Sequence, residues 1–189
     1  MGQRPPENPP PSAHAFDEIV QRHQQALGHF LYRFTGQVEQ AHDLVQETFL
    51  DAWRVAQLGH APFATSDDEG IRRWLFHAAY CKAISVLRRR RVIRWEPLTP
   101  VLEDQISAAT NATLSFEDRI AEVEILRAAL AQLAQPDIAC LLLRVVEGFS
   151  YTEIGHIIEA SPEAVMKRLA RAKQRLRAAY LAHLQPVQE

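Results

Sequence analysis

The sequence contains few of the residues that stabilise a very small fold or anchor a chain in a membrane. Two cysteines in 189 residues are too few for a disulfide framework or a finger-type zinc site, and they fit a reducing cytoplasm. No apolar run reaches the roughly 18 residues of a membrane-spanning helix, and residues 1–12 lack the apolar stretch of a signal peptide. We also find no glycine-rich phosphate loop, nucleophile elbow or pair of catalytic acids. We therefore expect no membrane insertion, no cofactor and no enzyme.

Charge is distributed very unevenly along the chain. The formal net charge is only −2, but segments 71–91 and 162–178 hold most of the 21 basic residues. The remainder is correspondingly acidic. This separation predicts two basic surfaces for a polyanion and acidic surfaces for another partner.

Hydrophobic spacing of three and four residues recurs through most of the chain and predicts an all-α protein with two small domains. Residues 1–14 are interpreted as a disordered leader and residues 15–91 as the N-terminal domain. Residues 92–115 lack periodicity and are predicted to be a flexible linker. Residues 116–184 form the predicted C-terminal domain.

The segment 148–180 has the pattern of a helix-turn-helix. A short helix over 151–158 is followed by Ser161, which can cap the next helix, and by Pro162 in its first turn. One face of this second helix, over 162–184, is apolar. The separate face predicted to contact DNA carries Ala164, Lys167, Arg168, Arg171 and Arg175. The alternative is a solvated basic face on an ordinary bundle helix.

Three segments in this order carry a family resemblance: AHDLVQETFLDAW (41–53), WLFHAAYCKAISVLRRRR (74–91) and the helix-turn-helix segment. The chain resembles the extracytoplasmic-function group of bacterial sigma-70 factors over about residues 16–184. The resemblance implies binding to core RNA polymerase, promoter-specific initiation, and control by an anti-sigma protein. The N-terminal domain would recognise the −10 element, and the C-terminal domain the −35 element.

Three carboxylates with a spacing of four residues, Asp43, Glu47 and Asp51, repel one another and do not stabilise their own helix. A basic partner helix would explain them. The resemblance implies that this partner is the coiled coil of the polymerase β′ clamp, with Gln46 also in contact. The alternative is a solvated acidic face.

The helix at about 70–91 is implied by the resemblance to recognise and melt the −10 element. Its candidate stacking residues are Trp74, His77 and Tyr80, although core packing is an equally good explanation of Trp74 and Tyr80. The loop His60–Glu69 would capture a flipped base. The candidate phosphate contacts are Arg88, Arg89, Arg90 and Arg91.

The sequence departs from the family pattern at four positions. Cys81 and Ser85 replace an asparagine and an aspartate of the −10 helix, Glu159 replaces the turn glycine, and Ala164 replaces a threonine. These departures keep two alternatives open. One is a DNA-binding regulator that acts without polymerase, and the other is a sigma-like interaction module that no longer reads promoters.

Neither cysteine is assigned a function from the sequence. His77 and Cys81 have the spacing of two metal ligands, but two ligands do not make a site, so no metal is expected. Cys81 and Cys140 are expected to be buried and inert.

Overall fold

A computed structural model describes residues 11–63, 67–90, 128–130 and 132–184, and all regular structure in these ranges is helical. This agrees with the predicted all-α class. The predicted linker 92–115, residues 1–10 of the leader and Arg91 lie outside the described residues. The helices are α1 Ala13–Thr35, α2 Val38–Gln57, α3 Asp68–Arg90, α4 Gln135–Leu141 with a π-helical turn Leu142–Val146, α5 Tyr151–Ile158, and α6 Pro162–Leu184.

The helix ends follow local sequence signals. The Ser12 side chain accepts a hydrogen bond from the Ala15 amide at 3.2 Å. Helix α1 therefore begins at Ala13, inside the segment predicted as leader. Gly36, with a φ of 76°, ends α1 as predicted. Ser161 accepts a hydrogen bond from the Ala164 amide at 3.2 Å, which confirms the predicted cap of α6.

Helices α1, α2 and α3 pack around an aromatic core. The Phe30 ring centre lies 5.3 Å from that of Phe76 and 5.7 Å from that of Phe34. His23 is buried beside this core, and its Nε2 lies 3.2 Å from the Asp68 carboxylate. Burial lowers the pKa of His23, and the hydrogen bond from Arg22 lowers the pKa of Asp68. At neutral pH, a neutral imidazole therefore donates to an ionised carboxylate.

Helices α4, α5 and α6 form a second group with its own apolar residues. The stripe predicted on α6 faces this group: Val165, Leu169 and Ala172 are buried. Helix α5 begins with a capping box in which Ser150 and Glu153 satisfy each other's backbone amides. The α5–α6 turn is tight, because a Cβ added at Gly155 would lie 2.5 Å from the Ala160 carbonyl oxygen.

The two groups meet along α3. The Phe149 ring packs edge-on against Phe76 at 5.1 Å, and the Arg72 guanidinium carbon lies 3.9 Å from the centre of the Phe149 ring. Arg72 also donates to the Glu147 carbonyl oxygen. The middle of helix α3 is apolar nearly all round, and α3 packs against α1, α2 and α5. The prediction of two tethered domains did not include this contact.

Candidate polymerase and promoter surfaces

The four residues predicted to bind polymerase lie on the outer side of α2. Asp43, Gln46 and Glu47 are exposed, and Asp51 is half-buried. Lys82 of α3 reaches this surface, with its Nζ 2.6 Å from an Asp51 oxygen and 3.5 Å from a Glu47 oxygen. The hydrogen bond from Lys82 lowers the pKa of Asp51. Much of the expected repulsion is therefore relieved within the chain, which leaves Asp43 and Gln46 as the part of the surface most open to a partner.

An apolar groove of about 460 Å³ adjoins these acidic residues. Leu50 is 56% exposed beside it, although most leucines of the described residues are buried or half-buried. The groove is lined by Ala13, Phe16, Asp17, Gln46, Phe49, Leu50 and Trp53. This groove was not predicted from the sequence. The available signal was Leu50, an apolar residue one helical turn after Gln46 and outside the buried stripe.

The stacking candidates of α3 are used mainly inside the fold. Trp74 packs edge-on against Phe63 at 5.3 Å, and Tyr80 packs against Phe34 at 5.9 Å. Burial raises the pKa of Tyr80. His77 faces the C-terminal helices, with its Nδ1 2.9 Å from the Ile157 carbonyl oxygen. These ring contacts favour core packing, the alternative that the sequence left open for Trp74 and Tyr80.

The basic end of α3 faces solvent where it is described. Arg88 and Arg89 are exposed, while the side chain of Arg90 and all of Arg91 lie outside the described residues. The predicted loop His60–Glu69 is described except for residues 64–66, and its Phe63 is buried. It ends two residues earlier than predicted, because Asp68 and Glu69 already belong to α3. These positions remain predictions for −10 recognition.

On α6, Lys167, Arg171 and Arg175 are exposed along one side, and Ala164 is half-buried at its start. Arg168 differs from these cations. Its Nη1 lies 3.5 Å from an oxygen of Asp137, whose side chain is only 6% exposed. Arg168 therefore compensates a buried carboxylate of α4. The sequence alone did not distinguish it from its neighbours on the basic face.

The two cysteines lie in different environments. Cys140 is buried, as expected, and burial raises the pKa of its thiol to about 11. Cys81 is exposed, which corrects the expectation that both cysteines are buried. It lies on the side of α3 that faces the α5–α6 turn.

Comparisons with known proteins agree with this architecture. Residues 19–92 match the family model for sigma-70 region 2, and residues 123–176 match the model for sigma-70 region 4. The sigma factor CnrH of Cupriavidus metallidurans is 30% identical over 169 residues, which cover 87% of this chain and 85% of CnrH. The sigma factor SigE of Mycolicibacterium smegmatis is 32% identical over 164 residues, 86% of this chain but only 60% of SigE.

Solved structures share the same fold. The sigma factor RpoE of Bartonella quintana, solved with the anti-sigma factor NepR, covers 87% of this chain with a TM-score of 0.65 at 20% identity. The structure of CnrH with the cytosolic domain of CnrY covers 90% of this chain with a TM-score of 0.63 at 24% identity. No described helix of this chain is long and apolar enough to cross a bilayer.

Regions 2 and 4 in this order define a sigma-70-type initiation factor. The chain belongs to the extracytoplasmic-function group of this family, whose members direct RNA polymerase to specific promoters.

Proposed function

We propose that this chain binds the β′ clamp of core RNA polymerase through α2 and reads promoters with α3 and α6. The observation that carries the proposal is a pair of exposed surfaces of different character. On α2, Asp43 and Gln46 are exposed beside an apolar groove. On α6, the second helix of the helix-turn-helix, the exposed cations are Lys167, Arg171 and Arg175. The first suits a basic protein helix with apolar side chains. The second suits DNA phosphates. RNA synthesis itself would remain with the core enzyme.

Promoter reading by both surfaces requires the α3–α5 contact to open. The −10 and −35 elements are named for positions about 25 base pairs apart, which is roughly 85 Å of duplex at about 3.4 Å per base pair. Helices α3 and α5 are in direct contact, with Phe76 and Phe149 ring centres 5.1 Å apart. The predicted linker 92–115 spans at most roughly 80 Å when fully extended, at about 3.3–3.6 Å per residue, so the linker and the width of the two helical groups together permit the separation. We therefore propose a closed free form and an open promoter-bound form.

The N-terminal groove and the exposed side of α3 are also where we expect an anti-sigma protein to bind. The RpoE and CnrH structures were solved with anti-sigma partners, NepR and the cytosolic domain of CnrY. A partner that covers the groove beside Gln46 would exclude the polymerase clamp by direct competition. Since the chain acts on the chromosome and polymerase, we expect it in the cytoplasm.

The test is reconstituted transcription over a library of promoter fragments with core polymerase and the double variant Asp43→Lys/Gln46→Lys. These positions leave the Lys82 contacts with Glu47 and Asp51 intact. We expect start sites with the wild type and at least a tenfold loss with the variant, roughly the cost of reversing charge in an interface. Glu18→Lys, an exposed acid on α1, is the matched control and should retain activity.

Two other outcomes would contradict the proposal. Polymerase binding without any open promoter would favour an interaction module that no longer reads promoters. DNA binding without polymerase binding would favour an independent regulator.

A further inference from the structure

Three potential metal ligands from the two helical groups meet at the α3–α5 contact. The Cys81 Sγ lies 3.8 Å from the His77 Nε2, and a carboxylate oxygen of Glu159 lies 3.9 Å from the same nitrogen. All three ligand atoms lie within 4.8 Å of one another. His77 and Cys81 belong to α3, whereas Glu159 lies in the turn of the helix-turn-helix. The third ligand, Glu159, was not predicted from the sequence, because it comes from the other half of the chain.

The imidazole of His77 is held in the tautomer that leaves its Nε2 free to bind a metal. Its Nδ1 lies 2.9 Å from the carbonyl oxygen of Ile157. Because a carbonyl only accepts hydrogen bonds, Nδ1 carries the proton and donates it. Nε2 is then unprotonated and free to bind a metal. The Cys81 Sγ lies beside the ring, 3.8 Å from Nε2 and 4.0 Å from Nδ1, so the Cys81 side chain has to rotate towards the Nε2 lone pair to share an ion with it. A backbone carbonyl on the second ring nitrogen is the usual outer-shell partner of a metal-binding histidine.

The two separations measured from the His77 Nε2 are somewhat longer than those between the ligands of a tetrahedral site. Zinc bonds of about 2.0–2.1 Å to nitrogen, 2.3 Å to sulfur and 2.0–2.2 Å to oxygen place neighbouring ligands roughly 3.3–3.6 Å apart. On metal binding the separations of 3.8 and 3.9 Å would contract by up to about half an ångström, and the Cys81 and Glu159 ligand atoms, which lie within 4.8 Å of each other, would also move closer together. Cys81 and Glu159 are both exposed, so solvent can occupy the fourth position. A set of imidazole, thiolate and carboxylate suits Zn²⁺ and related transition metals.

The chain has a glutamate, not a glycine, at the left-handed position between α5 and α6. Its φ of 55° and ψ of 53° lie in the left-handed region, and within the described residues it is the single non-glycine residue with positive φ. Glycine would adopt this conformation without the steric cost that a Cβ brings. This left-handed conformation ends α5, and the Glu159 amide donates to the Gly155 carbonyl oxygen. Cys81 and Glu159 are also two of the four positions where the chain departs from the family pattern.

We propose that His77, Cys81 and Glu159 bind a divalent transition-metal ion of the zinc type, which joins α3 to the helix-turn-helix and stabilises the closed form. On binding, the Cys81 sulfur bonds to the metal and its proton passes to solvent. An ion that binds only the closed form raises the closed-to-open ratio about 100-fold at a free concentration 100 times its dissociation constant. The expected inhibition of promoter reading rests on the function proposed above, whereas the site itself does not.

The site is tested by titrating the metal-free, full-length protein with Co²⁺. We expect one ion per chain, with thiolate-to-cobalt charge-transfer absorption that Zn²⁺ abolishes by displacement. Cys81→Ala should remove this absorption. Glu159→Gly should weaken binding at least about tenfold, the minimum seen when even an outer-shell partner is lost. His156→Ala, an exposed histidine of α5, is the matched control and should bind as the wild type does.

Two results would overturn the site. Absence of thiolate–cobalt absorption in the wild type would exclude Cys81 as a ligand. Absorption and affinity that depend on Cys81 but are unchanged in Glu159→Gly would confine the ion to α3 and exclude the link between the two halves.

The effect on function is tested by transcription with buffered zinc, using wild type and Glu159→Gly with the same polymerase. We expect zinc to inhibit the wild type by at least about tenfold more than the variant. Equal responses would overturn the stabilisation of the closed form. Transcription without added metal separates the two proposals: its absence contradicts promoter reading, while the cobalt spectrum still reports on the site.

Discussion

The two basic helices, α3 and α6, look similar in charge but differ in how they are packed. Helix α6 buries one stripe, Val165, Leu169 and Ala172, and leaves most of its cations in solvent. Helix α3 is covered on more than one side, and several of its polar residues contact other helices. Lys82 binds the acids of α2, Arg72 binds the loop before α5, and His77 contacts the Ile157 carbonyl. A basic residue on a peripheral helix is therefore a good candidate for DNA contact, whereas one on a central helix first has to be checked for an internal partner.

Loss of a buried side chain should give the largest difference in stability between α3 and α6. Phe76 is fully buried and contacts both Phe30 and Phe149, so Phe76→Ala should lower the free energy of unfolding by about 3–5 kcal/mol. Leu169→Ala on α6 should cost about 2–4 kcal/mol. Hydrogen exchange should reveal loosening of both helical groups with Phe76→Ala and of α4–α6 alone with Leu169→Ala. Loosening limited to one group in both variants would contradict the central role of α3.

Arg168 and Arg171 lie three residues apart on α6, and we expect them to have different roles. Arg168→Ala leaves the buried Asp137 carboxylate without its cation and should cost about 1–3 kcal/mol of stability. Arg171→Ala should change stability by less than about 0.5 kcal/mol. For promoter DNA, loss of Arg171 should reduce the salt dependence of binding by about one counterion. Urea denaturation and salt titrations distinguish the two roles, and equal stabilities would remove the distinction.

A smaller effect is expected for Arg72, which stacks on Phe149 across the α3–α5 contact. Arg72→Ala should weaken the closed form by about 1–2 kcal/mol, the range for a partly desolvated cation–π contact with a hydrogen bond. Small-angle scattering should then give a larger radius of gyration. Arg73→Ala removes the neighbouring charge and serves as the control. An unchanged radius with Arg72→Ala would show that apolar packing alone closes the molecule.

The smallest predicted effect concerns pH. The pKa of His23 is lowered in the folded protein, so the unfolded chain binds more protons as pH falls through its ordinary value of about 6.5. Stability is therefore lost below that pH, and the lowered pKa of Asp68 extends the loss to more acidic pH. The urea midpoint should fall between pH 7 and pH 5. His23→Gln should reduce this dependence, and an unchanged slope would assign it to other groups.

Much of the fold could be predicted from local signals. The bounds of α5 and α6, the Gly36 stop and the Ser161 cap follow from spacing and capping residues that act within a few positions along the chain. The acidic and basic surfaces were also predictable because charge pattern follows helix geometry. Three features could not be predicted, because each depends on a helix distant in sequence. They are the ion pair of Lys82 with Asp51, the exposure of Cys81 and the ion pair of Arg168 with Asp137.

The sequence alone determined the helical class, the order of the two sigma-70 regions and the faces that carry charge. These properties depend on the helical period of 3.6 residues and on local capping, and both are written in adjacent residues. The tertiary structure decided which charged groups are internally paired, and it brought Glu159 to His77 and Cys81. Such contacts depend on how separate helices pack, because the position of one helix relative to another is not encoded in the periodicity of either.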